Sequence, residues 1–153
     1  MDTIGNILVN KKGPLLSISR RESSLQAATV MSGHKVGSLL VMDGRAIVGI
    51  ITERDLLERV VARARDPKST SVDDVTTTEV FCCRPETTLE EARTVMKNRR
   101  IRHLPVVDDG GRLHGLVSIG DLNAHHAHSQ ELTIQVMNEM MFARCVSTVL
   151  KLA

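Results

Sequence analysis

The chain has 153 residues, 42% of them apolar, with 20 basic against 18 acidic side chains and a formal net charge of +2. That length suits one domain or two half-domains sharing a core, and the core must be aliphatic, because Phe81 and Phe142 are the only aromatic residues. Balanced charge without aromatic platforms argues against a nucleic-acid surface, and no apolar run reaches the ~20 residues that span a bilayer.

The N-terminal MDTIGNILVNKK lacks the apolar centre of a signal peptide. Cys82, Cys83 and Cys145 make no disulfide framework, so a reducing, cytoplasmic setting is expected. Asp2-Thr3 opens a short helical lead through Ile4, Ile7 and Leu8. A strand at residues 15–18 and a polar corner, Arg20-Arg21-Glu22, follow. Ser23-Ser24 caps a helix whose apolar face is Ala27, Val30 and Met31. Strands at residues 37–42 and 46–51 are joined by Asp43-Gly44, a strong hairpin signal because Gly supplies a positive φ at no steric cost. A last helix starts at Thr52 and stops near Pro67, which cannot continue it. Arg63, Arg65 and Lys68 near its end suit the helix dipole.

The same order then returns. Ser71 leads into Val72 and Val75, a strand is expected at 80–83, and Arg84-Pro85-Glu86 makes the corner. Thr87-Thr88 opens a helix with Leu89, Ala92, Val95 and Met96 on its apolar face. Strands at 103–107 and 113–117 flank Asp109-Gly110-Gly111, and a helix begins at Ser118. Leu39 aligns with Leu104, Val41 with Val106, Gly49 with Gly115, Thr52 with Ser118 and Asp55 with Asp121. The step is 65 residues from Leu39 to Leu104 and 66 from Asp55 to Asp121, with the extra residue at the hairpin turn. A repeat of this length is one compact half-domain, and a site made by one copy is expected in the other.

The expected fold is therefore mixed α/β, of the α+β kind. Two tandem β-α-β-β-α repeats, 1–66 and 67–128, are related by a pseudo-two-fold axis, and a C-terminal helix covers 129–153. That helix carries one apolar stripe through Leu132, Val136, Met140, Ala143, Val146 and Leu150 and a second through Ile134, Met137, Met141, Cys145, Val149 and Leu152. Such a face either covers its own module or contacts a second subunit. Its width favours the second, a homodimer.

The tetrads Thr52-Glu53-Arg54-Asp55 and Ser118-Ile119-Gly120-Asp121 sit where a buried strand turns into a helix. A hydroxyl followed three residues later by an acid is close to a capping box, although Asp is shorter than the usual Glu or Gln. The same geometry suits a nucleotide: helix N-terminal N–H groups meet phosphate, and the acid accepts hydrogen bonds from ribose hydroxyls. Both readings stand at this point.

The whole pattern, an Ala/Met helix, a hairpin reading LLVMD or LPVVD, then Gly, two apolar residues and T/S-x-x-D-L, resembles the CBS (cystathionine-β-synthase) repeat over residues 3–126. Two copies resemble a CBS pair, or Bateman module. The resemblance implies binding of an adenosine-containing ligand (AMP, ADP, ATP, NAD or S-adenosylmethionine), no catalytic cofactor, and regulation through the oligomer or a protein partner. It places Thr52, Asp55, Ser118 and Asp121 at the ribose and helix start. Arg54, Arg102 and His103 become phosphate contacts, reaching the centre from opposite copies. Gly37-Ser38 and Gly120 stand uncharged at the matching positions.

Two rivals remain: a ligand-free interaction scaffold whose tetrads only cap helices, and an enzyme using Asp55 or Asp121 as base. No nucleophile–base–acid set or phosphate-binding glycine loop favours the enzyme. His125-His126-Ala127-His128 lacks the further ligands of a metal site. Cys82-Cys83 puts one thiol toward the core and one away, and redox sensing there needs a lowered thiol pKa. His34-Lys35 and Arg99-Arg100 read as exposed loop charges.

Overall fold

The computed structural model describes residues 2–129, so the apolar stripes between Leu132 and Leu152 lie outside the described residues. The first half runs α1 (Ile4–Asn10), β1 (Ser17–Ser19), α2 (Ser24–His34), β2 (Ser38–Asp43), β3 (Ala46–Thr52) and α3 (Glu53–Leu56), which widens into a π turn over Leu57–Val61. The second half runs α4 (Val72–Val75), α5 (Leu89–Arg99), β4 (His103–Val107), β5 (Leu113–Ser118) and α6 (Ile119–Ser129).

Local chemistry accounts for the helix starts. The Ser23 hydroxyl accepts the Gln26 N–H at 3.1 Å. Thr88 and Glu91 cap each other, Thr88 N–H to the carboxylate at 2.9 Å and Glu91 N–H to the hydroxyl at 3.3 Å. Gly44, with φ of 59°, occupies the first hairpin loop, and Gly111, with φ of 76°, the second. Val95, expected on the inner face of α5, is instead 36% exposed, while Ala92 and Met96 are buried.

In the first half β1 pairs parallel with β2, and β2 antiparallel with β3. In the second half only β4 and β5 form a sheet. The strand expected at 80–83 shrinks to one parallel bridge, Cys83 with Val106. Cys83 N–H reaches the Pro105 carbonyl at 3.0 Å, and Val107 N–H reaches the Cys83 carbonyl at 2.9 Å. The reason lies 65 residues after Leu40, whose N–H donates to the Leu16 carbonyl at 3.2 Å. That place is held by Pro105, which has no N–H for Phe81.

The short leads change places. Ile4 and Ile7 of α1 pack with Cys83, Ala92, Met96, Leu104 and Val117, all from the second half. Val72 and Val75 of α4 pack with Ile18, Ala27, Met31, Leu39 and Ile51, all from the first. Backbone bridges from Thr3 to Thr88 and from Ser71 to Ser23 pin each lead to the helix start of the opposite half. Each core thus needs residues from both ends of its sequence.

Each exchanged lead crosses the third strand of its host at a glycine. A Cβ on Gly49 would stand 2.5 Å from the Thr77 carbonyl oxygen and overlap the Thr76 methyl. A Cβ on Gly115 would stand 2.8 Å from Cδ2 of Leu8, the end of a flexible side chain. Gly49→Ala is therefore expected to cost about 1–3 kcal/mol in urea unfolding, the usual penalty of overpacking. Gly115→Ala costs less, because Leu8 can rotate away. Equal losses would show that the crossing backbone does not set the limit.

Candidate functional site

Both tetrads fold as reciprocal capping boxes. The Thr52 N–H and hydroxyl each lie 2.8 Å from Asp55 Oδ2, and Asp55 N–H donates back to Thr52 Oγ1 at 3.3 Å. In the second copy, Ser118 N–H and hydroxyl lie 2.7 and 2.9 Å from Asp121 Oδ2, and Asp121 N–H donates to Ser118 Oγ at 3.2 Å. The short acid suffices because it sits at the third helical position, directly over the cap.

Beyond the box the copies diverge. Asp55 is 7% exposed, and its second oxygen accepts the Thr77 hydroxyl at 3.0 Å, with Arg59 at 3.6 Å. Arg59 also donates to the carbonyls of Val75 and Thr76 at 2.8 and 3.0 Å, while Thr77 bridges Ile50 through backbone bonds. The segment after α4 is thereby stitched over the first tetrad, and the Asp55 carboxylate is enclosed.

Around Asp121 the lead behaves differently. The helix α1 is 7 residues long against 4 in α4, and it carries the chain past the acid rather than onto it. Ser118, Asp121 and His103 line a cavity of about 510 Å³. Its other walls include Lys11 and Lys12 after α1, and His34 and Lys35 at the end of α2. Lys11 Nζ lies 2.7 Å from Asp121 Oδ2 and 2.9 Å from the Leu116 carbonyl. Burial raises the Asp121 carboxyl, but the Lys11 ammonium and the Ser118 donors outweigh it and hold it below the ordinary aspartate value. Burial, reinforced by the Arg102 charge, lowers His103, so its imidazole is neutral at pH 7.

Arg54 and Arg102 meet elsewhere. They line a second, open recess of about 700 Å³ together with Arg93, Lys97, Arg100 and Glu58. Arg54 donates to the Arg100 carbonyl at 3.0 Å, and Arg102 lies 3.8 Å from Glu53. The seven residues singled out in the sequence therefore fall into three places: Ser118, Asp121 and His103 in one cleft, Arg54 and Arg102 in a basic recess, Thr52 and Asp55 under the Thr77 segment.

Lys11 and Lys12 carried no signal in the sequence, while His34 and Lys35 are exposed as expected and also border the cleft. For Lys35 a signal was present. Lys35 and Arg100 are related by the 65-residue step, and both end their helices with φ of 54°, a left-handed cap that glycine usually fills. A cation in both copies at a conformation unfavourable to side chains marks the position as more than a loop.

The weaker motifs find structural settings. Cys83 belongs to the core and Cys82 is exposed. Burial pushes both thiols up, Cys83 to about 11 with the Cys82 charge adding, the opposite of what a reactive thiolate needs. His125 Nε2 lies 3.2 Å from the Asp2 carboxylate. Among the described residues no helix is long and apolar enough to cross a membrane.

Comparison with known proteins agrees with this architecture. The chain is 37% identical over 141 residues to CBSX3, a mitochondrial CBS domain-containing protein of Arabidopsis thaliana, covering 85% of this chain and 68% of that one. It resembles a solved CBS-domain protein of Burkholderia ambifaria MC40-6 at a TM-score of 0.83 and 37% identity, covering 87% of this chain and 99% of that one. The CBS domain pair of protein MJ0100, solved with 5′-methylthioadenosine and S-adenosyl-L-methionine, is similar at a TM-score of 0.69 and 25% identity, covering 82% of this chain and 95% of that one. The model of the CBS domain matches twice, at residues 4–62 and 72–126, once on each half of the repeat, and the chain belongs to the CBS-domain family as a tandem pair.

Proposed function

We propose that the protein is a regulatory module that binds an adenine nucleotide in the cleft of its second repeat and passes the signal on through its own assembly or a partner protein. The observation that carries this is the pairing of Asp121, an acid at a helix start on the wall of a cavity, with Lys12 and Lys35 on the other walls of that cavity. An acid there suits ribose hydroxyls, and cations suit phosphate. The adenosine compounds bound to the MJ0100 pair support an adenosine ligand, and the Burkholderia protein is named for signal transduction.

Binding without turnover fits the electrostatics. A carboxylate held below its ordinary pKa by Lys11 is a poor proton acceptor. The first repeat has a different part. A ligand seeking Asp55 must first lift Thr77 from it, so the second cleft fills first and the first tetrad serves as a helix cap. A cytoplasmic setting and a homodimer held in part by residues 130–153 complete the reading.

A thermal-shift panel of AMP, ADP, ATP, NAD and S-adenosylmethionine tests it: at least one adenosine compound raises Tm, and a flat response to all of them leaves the scaffold reading in place. Asp121→Ala is expected to weaken that binding roughly ten- to a hundred-fold, the worth of a charged hydrogen bond. Both substitutions remove a cap and should lower stability by about 0.5–2 kcal/mol, but Asp55→Ala should leave affinity little changed. The reverse pattern in calorimetry would place the ligand in the first repeat. A chain ending at residue 129 should be monomeric or aggregated in light scattering. A soluble dimer of unchanged stability would show that the tail is dispensable.

A further inference from the structure

In the second cleft the acid expected to meet the ribose is already engaged. Lys11 Nζ holds Asp121 Oδ2 at 2.7 Å and the Leu116 carbonyl at 2.9 Å, inside the cavity that the ligand would enter. We propose that Lys11 is the residue by which this cleft selects phosphorylated adenosine compounds over phosphate-free ones. The inference rests on the nucleotide reading above and names its ligand class.

Ligand entry exchanges the partners of Lys11. A ribose diol that grips both oxygens of Asp121 competes with the ammonium for Oδ2. A phosphate-free ligand breaks a charge-assisted hydrogen bond and replaces it with bonds from neutral hydroxyls, which are weaker. It also strands a cation in a cleft that already holds Lys12 and Lys35, neither of which has an ion-pair partner among the described residues. A nucleotide brings its own anion. The displaced ammonium then trades a carboxylate for a phosphate, and all three lysines gain a counter-charge.

The position of Lys11 suits this trade. It is the first residue beyond α1 and its side chain is 38% exposed, so the ammonium can swing without disturbing the buried Ile4 and Ile7. The first repeat lacks the device. There the cation beside the acid is Arg59, 3.6 Å from Asp55 and tied to the carbonyls of Val75 and Thr76, so it is not placed to leave for a phosphate. The MJ0100 pair was solved with two adenosine compounds that contain no phosphate, whereas this chain is expected to prefer phosphorylated ones.

The experiment is calorimetry on the full chain with AMP, ADP, adenosine and 5′-methylthioadenosine. For the unmodified protein, AMP should bind at least about tenfold more tightly than adenosine, a difference of one decade in Kd. Lys11→Met should narrow that ratio from both sides, strengthening adenosine and 5′-methylthioadenosine by several-fold while weakening AMP and ADP. Lys11→Arg, which keeps the charge, should keep the preference, and it carries the test if Lys11→Met fails to fold by circular dichroism. A loss of preference in Lys11→Arg, or a Lys11→Met that shifts all four ligands equally or leaves the ratio unchanged, overturns the role of Lys11 while the nucleotide reading stands. Failure of all four to bind the unmodified chain overturns both.

Discussion

Neither half of this protein closes its own core. Ile4 and Ile7 complete the second half, and Val72 and Val75 complete the first, all of them at or below 5% exposure. Burying such side chains is worth about 1.5–3 kcal/mol each, so the exchange of two short leads makes the halves interdependent. Everything at the candidate site follows from where those leads run after their last buried residue. Because the leads cross closely, Gly49 is required where the Thr76–Thr77 segment passes, and Gly115 lies under the movable side chain of Leu8.

The two crossings differ by a single helical turn, and that turn separates a closed site from an open one. After Val75 the chain becomes extended, pairs with Ile50, and lays Thr77 on Asp55. After Ile7 the helix continues to Asn10, Leu8 covers Gly115, and Lys11 reaches Asp121 by its side chain alone. A backbone pairing is a cooperative closure, whereas a lysine on a carboxylate is a single contact at the wall of a cavity. Equivalent tetrads therefore face different surroundings, and pseudo-symmetry in the fold does not carry through to the site.

The capping box and the proposed ligand site draw on the same carboxylates. One Asp oxygen locks the helix start, through the backbone and hydroxyl of Thr52 or Ser118. The other oxygen is what remains for a partner, and the exchanged lead determines which partner arrives. In Asp55 that oxygen is used up by Thr77 and Arg59. In Asp121 it is Oδ2, the locking oxygen, that carries Lys11 as well.

Much of this was legible in the residues. Hydroxyl caps at Ser23 and Thr88, hairpin glycines at Gly44 and Gly111, and the repeated tetrads are local signals, and local hydrogen bonding enforces them wherever the chain goes. The 65-residue step likewise revealed two like halves and, through Pro105, held the cause of the missing strand at 80–83. Other features were out of reach because they depend on contacts distant in sequence. Lys11 and Asp121 are 110 positions apart, and Arg54 and Arg102 share a recess that excludes His103. Sequence by itself determined the elements, their order and the CBS-type helix starts, because turns, caps and periodicity are properties of neighbouring residues. Only the tertiary structure decided which lead covers which half, and hence which acid faces a cavity, because that choice is made by burial between segments that the chain keeps far apart.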